Sequence, residues 1–238
     1  MAARRDDSPE VALLLGFVRL TLAPSGEDDP TADFARAMET DPWWPEAYLY
    51  EGKRLLVRGE YSRAAIQADR ALFLRPDCEQ ALQLRAASRI CAGQLVVARA
   101  DLSSVLAMDP GCVEATHDLA LAEFRLGNPQ EAINRLAPTL AAHEDSVPCL
   151  YLMAQLRADT GQPGAALDLL EKALDTSIAK QEYCCAIGED GEYAEGEKVL
   201  ERTYREFALH RRRVEEDPML APVRALPDFE RRVRQRLR

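Results

Sequence analysis

The sequence predicts an all-α solenoid of antiparallel helix pairs, and three observations in its 238 residues predict it. Gly59, Gly93, Gly127 and Gly161 stand 34 residues apart, Ala64, Ala98, Ala132 and Ala166 keep the same interval, and so do Pro42, Pro76 and Pro110. A fixed period of this length marks a repeat architecture in which each copy is one supersecondary unit. Within each period apolar residues recur at offsets of three and four, the spacing of one helix face. No stretch shows the alternating pattern of half-buried strands.

The first flank opens with Ser8-Pro9-Glu10, a helix start with Ser as cap and Pro at the first position. The apolar run at 11–23 contains Arg19 and is too short for a membrane span. Its leader carries Asp6, Asp7 and Glu10 beside Arg4 and Arg5, so a helix fits better than a secretory signal. After a loop rich in Asp, Pro and Gly, a second helix carries Phe34, Ala37 and Met38 and ends before Pro42. This pair, residues 1–44, reads as a degenerate cap.

Four repeats follow at 45–78, 79–112, 113–146 and 147–178. In the first, a helix over 45–58 ends at Gly59, which supplies the left-handed backbone that closes a helix, and a second helix runs to Leu74 and stops at Pro76. In the third, Asn128 as cap, Pro129 at the first position and Glu131 three residues after the cap announce the second helix. The second helices carry clear stripes: Ala98, Leu102, Val105 and Leu106; Ala132, Ile133, Leu136 and Leu140; Ala166, Leu167, Leu170, Ala173 and Leu174. Beyond them, 179–214 reads as an irregular helix pair, with Gly191-Glu192-Tyr193 echoing Gly59-Glu60-Tyr61 out of register. In the tail, 215–238, Pro218, Pro222 and Pro227 forbid one continuous helix; a short basic helix starts at Asp228 and the segment is expected to lie across the last repeat.

The run Tyr48, Gly52, Leu55, Ala64, Ala68, Ala71 and Pro76 resembles the tetratricopeptide repeat pattern. The next copies match through Ala86, Ala98, Leu102 and Pro110, then Ala120, Gly127, Ala132 and Leu136, then Ala154, Gly161, Ala166, Leu170 and Ala173. Glu51 departs from the pattern, standing where a leucine is usual. The resemblance implies a right-handed superhelix whose concave face is lined by the first helix of every repeat and binds peptides. Carried onto this chain, its ligand-facing positions are Glu46, Leu49, Lys53 and Leu56; Gln80, Gln83, Ala87 and Ile90; Glu114, His117, Leu121 and Phe124; and Pro148, Tyr151, Gln155 and Ala158. The chaperone-tail clamp known in the family needs bases where this chain has Glu114 and Asp118, so that ligand class is not expected. A segment with apolar anchors along Leu121, Phe124 and Tyr151 suits the lining better.

Acidic residues number 40 against 30 basic ones, a net charge of −10 that disfavours broad adhesion to nucleic acid or to an anionic membrane. From Glu201 onward 11 Arg face seven Asp and Glu, and Arg211, Arg212 and Arg213 with the later arginines are expected to dock on the acidic solenoid, contact with an acidic partner, phosphate or nucleic acid being the alternative. Trp43 and Trp44 sit at a corner between units, to pack on the first cap or to anchor a partner. Six cysteines with only Cys184 and Cys185 adjacent read as buried thiols of a reducing, cytoplasmic setting, not as a disulfide or zinc framework. No phosphate-binding, nucleophile-elbow or metallopeptidase motif is present. The expectation is therefore a non-enzymatic adaptor or scaffold for a protein or peptide partner, with no catalytic residues, metal or cofactor. The alternatives are an assembly or secretion chaperone that shields an apolar client, and a scaffold that associates with itself.

Overall fold

A computed structural model of the chain describes residues 31–188 and 211–236. The expected helix at 11–23 and the echo at 191–193 lie outside the described residues, as do the side chains of Cys184, Cys185, Arg211, Arg212 and Arg213. The architecture is all-α: α1 (Thr31–Thr40), α2 (Pro45–Val57), α3 (Tyr61–Leu74), α4 (Glu79–Cys91), α5 (Leu95–Met108), α6 (Val113–Arg125), α7 (Pro129–Ala142), α8 (Val147–Asp159) and α9 (Pro163–Gly188). The first helices of the repeats begin at Pro45, Glu79, Val113 and Val147, and the second helices at Tyr61, Leu95, Pro129 and Pro163, each series in steps of 34. The chain divides into two compact units, Met1–Asp118 and Leu119–Arg238.

Glycine makes each turn. Gly59, Gly93, Gly127 and Gly161 have φ of +78°, +77°, +87° and +75°, the left-handed region that costs a side-chain-bearing residue ~1–2 kcal/mol. The amide of Gly59 then donates to the Leu56 carbonyl at 3.0 Å and that of Glu60 to the Leu55 carbonyl at 2.9 Å. This paired closure is a Schellman motif, and it leaves no room for a wider loop before the second helix. Gln94, Asn128 and Gln162 repeat the longer bond, to Arg89, Glu123 and Arg157. The Asn128 side chain, expected to cap α7, makes no capping bond; its Nδ2 donates to Glu123 Oε2 at 3.0 Å. The reason is that Asn128 also closes the preceding helix, and its side chain follows its backbone amide back to Glu123.

In the first unit successive helices from α1 to α5 pack on one another through alanines. Ala64, Ala68, Ala71, Ala81, Ala86 and Ala98 are fully buried, which lets the backbones approach closely. Gly52 marks the tightest approach: a Cβ there would lie 2.6 Å from Leu84 Cδ2 and 3.3 Å from Gln67 Cβ. Phe34 and Ala37 of α1 bury against Ala47, with Met38, Trp44 and Tyr50 packed around them, and the Phe34 and Tyr50 rings stack at 6.3 Å. One tryptophan thus packs as expected, whereas Trp43 is 73% exposed. Arg85 on α4 clamps Asp101 of α5 at 3.0 and 2.7 Å and reaches Asp69 of α3 at 2.7 Å, while Arg89 adds a bond to Asp101 at 2.6 Å.

The second unit contains α7, α8 and α9 together with the tail. Helix α9 continues to Gly188, past the boundary at 178 read from the sequence. The prolines divide the tail into Arg211–Glu216, a 3-10 turn Pro218–Leu220, and further short turns at Ala221–Arg224, Phe229–Arg232 and Arg234–Arg236. Val214, Leu220, Val223, Phe229 and Val233 enter one core with Val147, Leu150, Tyr151, Ala154, Leu170 and Leu174. Ala132 of α7 is fully buried, and Ala132→Leu is expected to overpack its contact by ~1–3 kcal/mol, read as a lowered urea midpoint.

Candidate functional site

The candidate site is the exposed side of the first helices, taken separately in each unit. In the first unit, two of the positions implied by the family resemblance turn inward, Leu49 and Ile90 being only 3% and 4% exposed. Lys53, Leu56, Gln83, Ala87 and His117 are half-buried, and Gln80 and Glu114 are exposed. The Lys53 ammonium lies 5.3 Å from the Tyr50 ring centroid, and burial lowers its pKa from the ordinary lysine value. Glu46 pairs with Arg75 at 2.8 Å, tying the start of α2 to the end of α3. His117 Nδ1 lies 2.9 Å from Asp118 Oδ1, which engages the ring with its own helix.

Gln83 also has work beneath the surface. Its Nε2 donates to Glu79 Oε1 at 3.0 Å and contacts Cys112 Sγ at 3.1 Å. Glu79, Asp109 and Cys112 bring one potential ligand atom each within 4.8 Å of one another, a convergence that the sequence did not announce because Glu79 stands in the chain about 30 residues before the other two. Burial pushes the Cys112 thiol up, the Ala115 amide opposes this, and the neighbouring Glu114, Glu79 and Asp109 carboxylates add to the rise. The backbone amide of Ala115 contacts the sulfur at 3.5 Å. These contacts join the start of α4 to the α5–α6 corner.

In the second unit Leu121 and Phe124 are half-buried, but the face of α8 differs from the open lining expected there. Tyr151 is 3% exposed. Its hydroxyl donates to Asp217 Oδ2 at 2.6 Å, and Gln155 Nε2 donates to the same oxygen at 2.7 Å. The other oxygen of Asp217 accepts the Met219 amide at 2.9 Å, so one carboxylate shapes its own turn and seats it on α8. Arg224 closes the segment from within, donating to the carbonyls of Asp217 at 2.6 Å and Val214 at 3.0 Å. Asp217 is thus a central residue that the sequence reading did not nominate; its signal was the Asp-Pro dipeptide of a turn start.

The basic end of the tail meets acids of the same unit. Arg232 donates to Glu171 at 2.9 Å and to Asp168 at 2.7 Å, and Arg236 reaches Glu171 and Asp175. Asp168, Glu171 and Asp175 share one face of α9 at offsets of three and four. Arg234 pairs with Glu215 at 3.2 Å and Arg231 with Asp228 at 2.9 Å. Arg232 and Arg236 thus meet acids of α9, as a tail docked on the acidic repeats would, whereas Arg231 and Arg234 pair with acids of the tail itself.

Residues 91–156 match the tetratricopeptide repeat family, and the paired helices have that family's fold. A MamA fragment from Desulfovibrio magneticus RS-1 is similar at 18% identity and a TM-score of 0.62, covering 74% of this chain and 98% of that one. A thermophilic TPR protein of Thermus thermophilus, TTC0263, is similar at 19% identity and 0.61, covering 84% and 98%. YrrB, described as a TPR protein with an unusual peptide-binding site, is similar at 20% identity and 0.55, covering 70% and 83%. No curated protein sequence matches the chain. Among the described residues no helix is long and apolar enough to cross a membrane.

Proposed function

We propose that the chain is a non-enzymatic interaction adaptor that holds a short polypeptide segment of a partner on the first helices of its leading repeats. One observation carries this reading: on α8, at the corresponding helix positions, Tyr151 and Gln155 bind the carboxylate of an irregular, proline-broken segment. A first-helix face of this chain therefore has the chemistry to hold non-helical polypeptide through side-chain donors and adjoining apolar surface. The half-buried face in the first unit offers the same mixture, with Leu56 and Ala87 as apolar ground, Gln83 as an amide and Lys53 as a cation. The peptide-binding site named for YrrB supports the same class of ligand.

Lys53, partly desolvated, favours a segment that brings an acidic or carbonyl oxygen to it, because a buried ammonium gains most from an oxygen partner. Selection from a random peptide display library on the intact chain tests the reading. Enriched peptides are expected to bind Ala87→Glu and Lys53→Glu at least about tenfold more weakly than the parent. Ser104→Glu, exposed on the second helix of the same repeat as Ala87, should leave binding unchanged. Absence of enriched peptides, or equal binding to all four proteins, refutes it.

A further inference from the structure

We propose that the face of α8 is a second, latent peptide site whose resident occupant is the chain's own tail. The partner it fits carries an acidic side chain, then a proline turn, then a bulky aliphatic residue, as Asp217, Pro218 and Leu220 do. The inference rests on the reading of first-helix faces given above for the kind of ligand, and on independent contacts for the site.

Three observations converge on it. The Asp217 carboxylate takes both of its side-chain donors from Tyr151 and Gln155, one helical turn apart on α8. Two neutral donors converging on one carboxylate oxygen select an anion without burying a countercharge. Next to this polar contact Leu220 is fully buried in the core shared with Val147 and Tyr151, so the anchor three residues after the acid fills an apolar recess. Finally, the occupant is not a further repeat helix. From Pro218 onward it consists of turns of three or four residues, seated through the buried side chains of Leu220, Val223, Phe229 and Val233, and such a segment can open as one unit while the longer helices beneath it stay formed.

The outer latch is of a different kind. Arg232 and Arg236 meet Asp168, Glu171 and Asp175 at the surface, where the acids of Asp168 and Asp175 keep 69% and 55% of their side-chain exposure. The pairs to Asp168 and Asp175 are screened by salt, those to the half-buried Glu171 less so, and the part-buried contact of Asp217 with Tyr151 and Gln155 far less. Salt therefore loosens the basic end of the tail and leaves the acidic turn seated, and a matching partner segment completes the release by competing for Tyr151 and Gln155.

Two measurements on the full-length chain test the proposal. In hydrogen exchange, the bonded amides at 220–233 are expected to exchange at least about tenfold faster than those in the middle of α8, and faster still in about 0.5 M than in about 0.05 M salt. Equal protection of tail and α8 at both salt concentrations makes the tail an inseparable part of the core and overturns the proposal. In the second measurement, a fluorescein-labelled synthetic peptide of residues 214–233 is titrated against the parent and against Asp217→Ala/Leu220→Asp. The double variant, its own tail weakened, is expected to bind the peptide at least about tenfold more tightly than the parent, and adding Gln155→Ala should reverse the gain. Peptide binding that is equal in parent and double variant, or absent from a double variant that retains its helical circular dichroism, overturns it. If the double variant does not fold, the exchange result decides. Failure of the display experiment on the leading repeats leaves both of these results standing, so the two readings fail separately.

Discussion

Replacing Arg54 with methionine is expected to destabilise the first unit by about 3–5 kcal/mol, read as a lowered urea midpoint. Arg54 and Glu51 lie one turn apart on α2, joined by two bonds of 2.7 and 2.8 Å, with side chains 5% and 7% exposed. Glu51 occupies a position where the repeat pattern usually has a leucine, so its carboxylate is buried among packed helices. Taking both ions out of water costs several kcal/mol each, and their mutual attraction offsets that cost only while both are present. The variant leaves the Glu51 carboxylate without its guanidinium, which is why the loss exceeds that of a surface pair. The double replacement Glu51→Leu/Arg54→Met removes both charges, and it should return the midpoint to the parent value or above it. A single variant as stable as the parent would mean that water reaches the pair.

Truncating Leu170 to alanine is expected to cost about 2–5 kcal/mol in the second unit, again by urea midpoint. Leu170 is fully buried, in the cluster that α8, α9 and the tail share. The cost joins the lost transfer energy of the removed methyls to a cavity that helices on one side and short turns on the other cannot both collapse into. Phe73→Ala is the contrast. That larger side chain is 81% exposed at the end of α3, and its removal should move the midpoint by less than about 0.5 kcal/mol. Phe73 and Leu170 both belong to second helices and look equally apolar in the sequence; burial alone separates their effects.

Helix starts at intervals of 34 residues, the glycine turns and the buried alanine stripes were all legible in the sequence, because each depends on residues within one repeat. The candidate site was legible only in part. Register placed Lys53, Leu56, Gln83 and Ala87 on one side of their helices, where they are half-buried. It could not tell that Leu49 and Ile90 turn into the core, since neighbouring helices decide how much of a stripe is covered. Asn128 shows the same limit at short range: its position as the residue before a helix was readable, but its side chain bonds backward to Glu123 because the preceding turn already holds its backbone.

The two aromatic neighbours at 43 and 44 illustrate why composition does not settle exposure. Trp44 packs with Phe34 and Ala37, whereas Trp43, one residue earlier, points into solvent. A one-residue step at a corner turns a side chain through a large angle, and no periodic rule applies outside a helix.

The brick and its pitch are written in the chain itself: turn chemistry, apolar offsets and small residues at close approaches act over a few residues to a few tens of residues, and they recur. Which bricks keep an open side is a matter of how distant segments meet. Tyr151 and Gln155 meet Asp217 across 66 and 62 positions, and Arg232 meets Glu171 across 61. Contacts of that span depend on where a non-periodic tail returns in space, and the local forces that build a helix pair do not encode it.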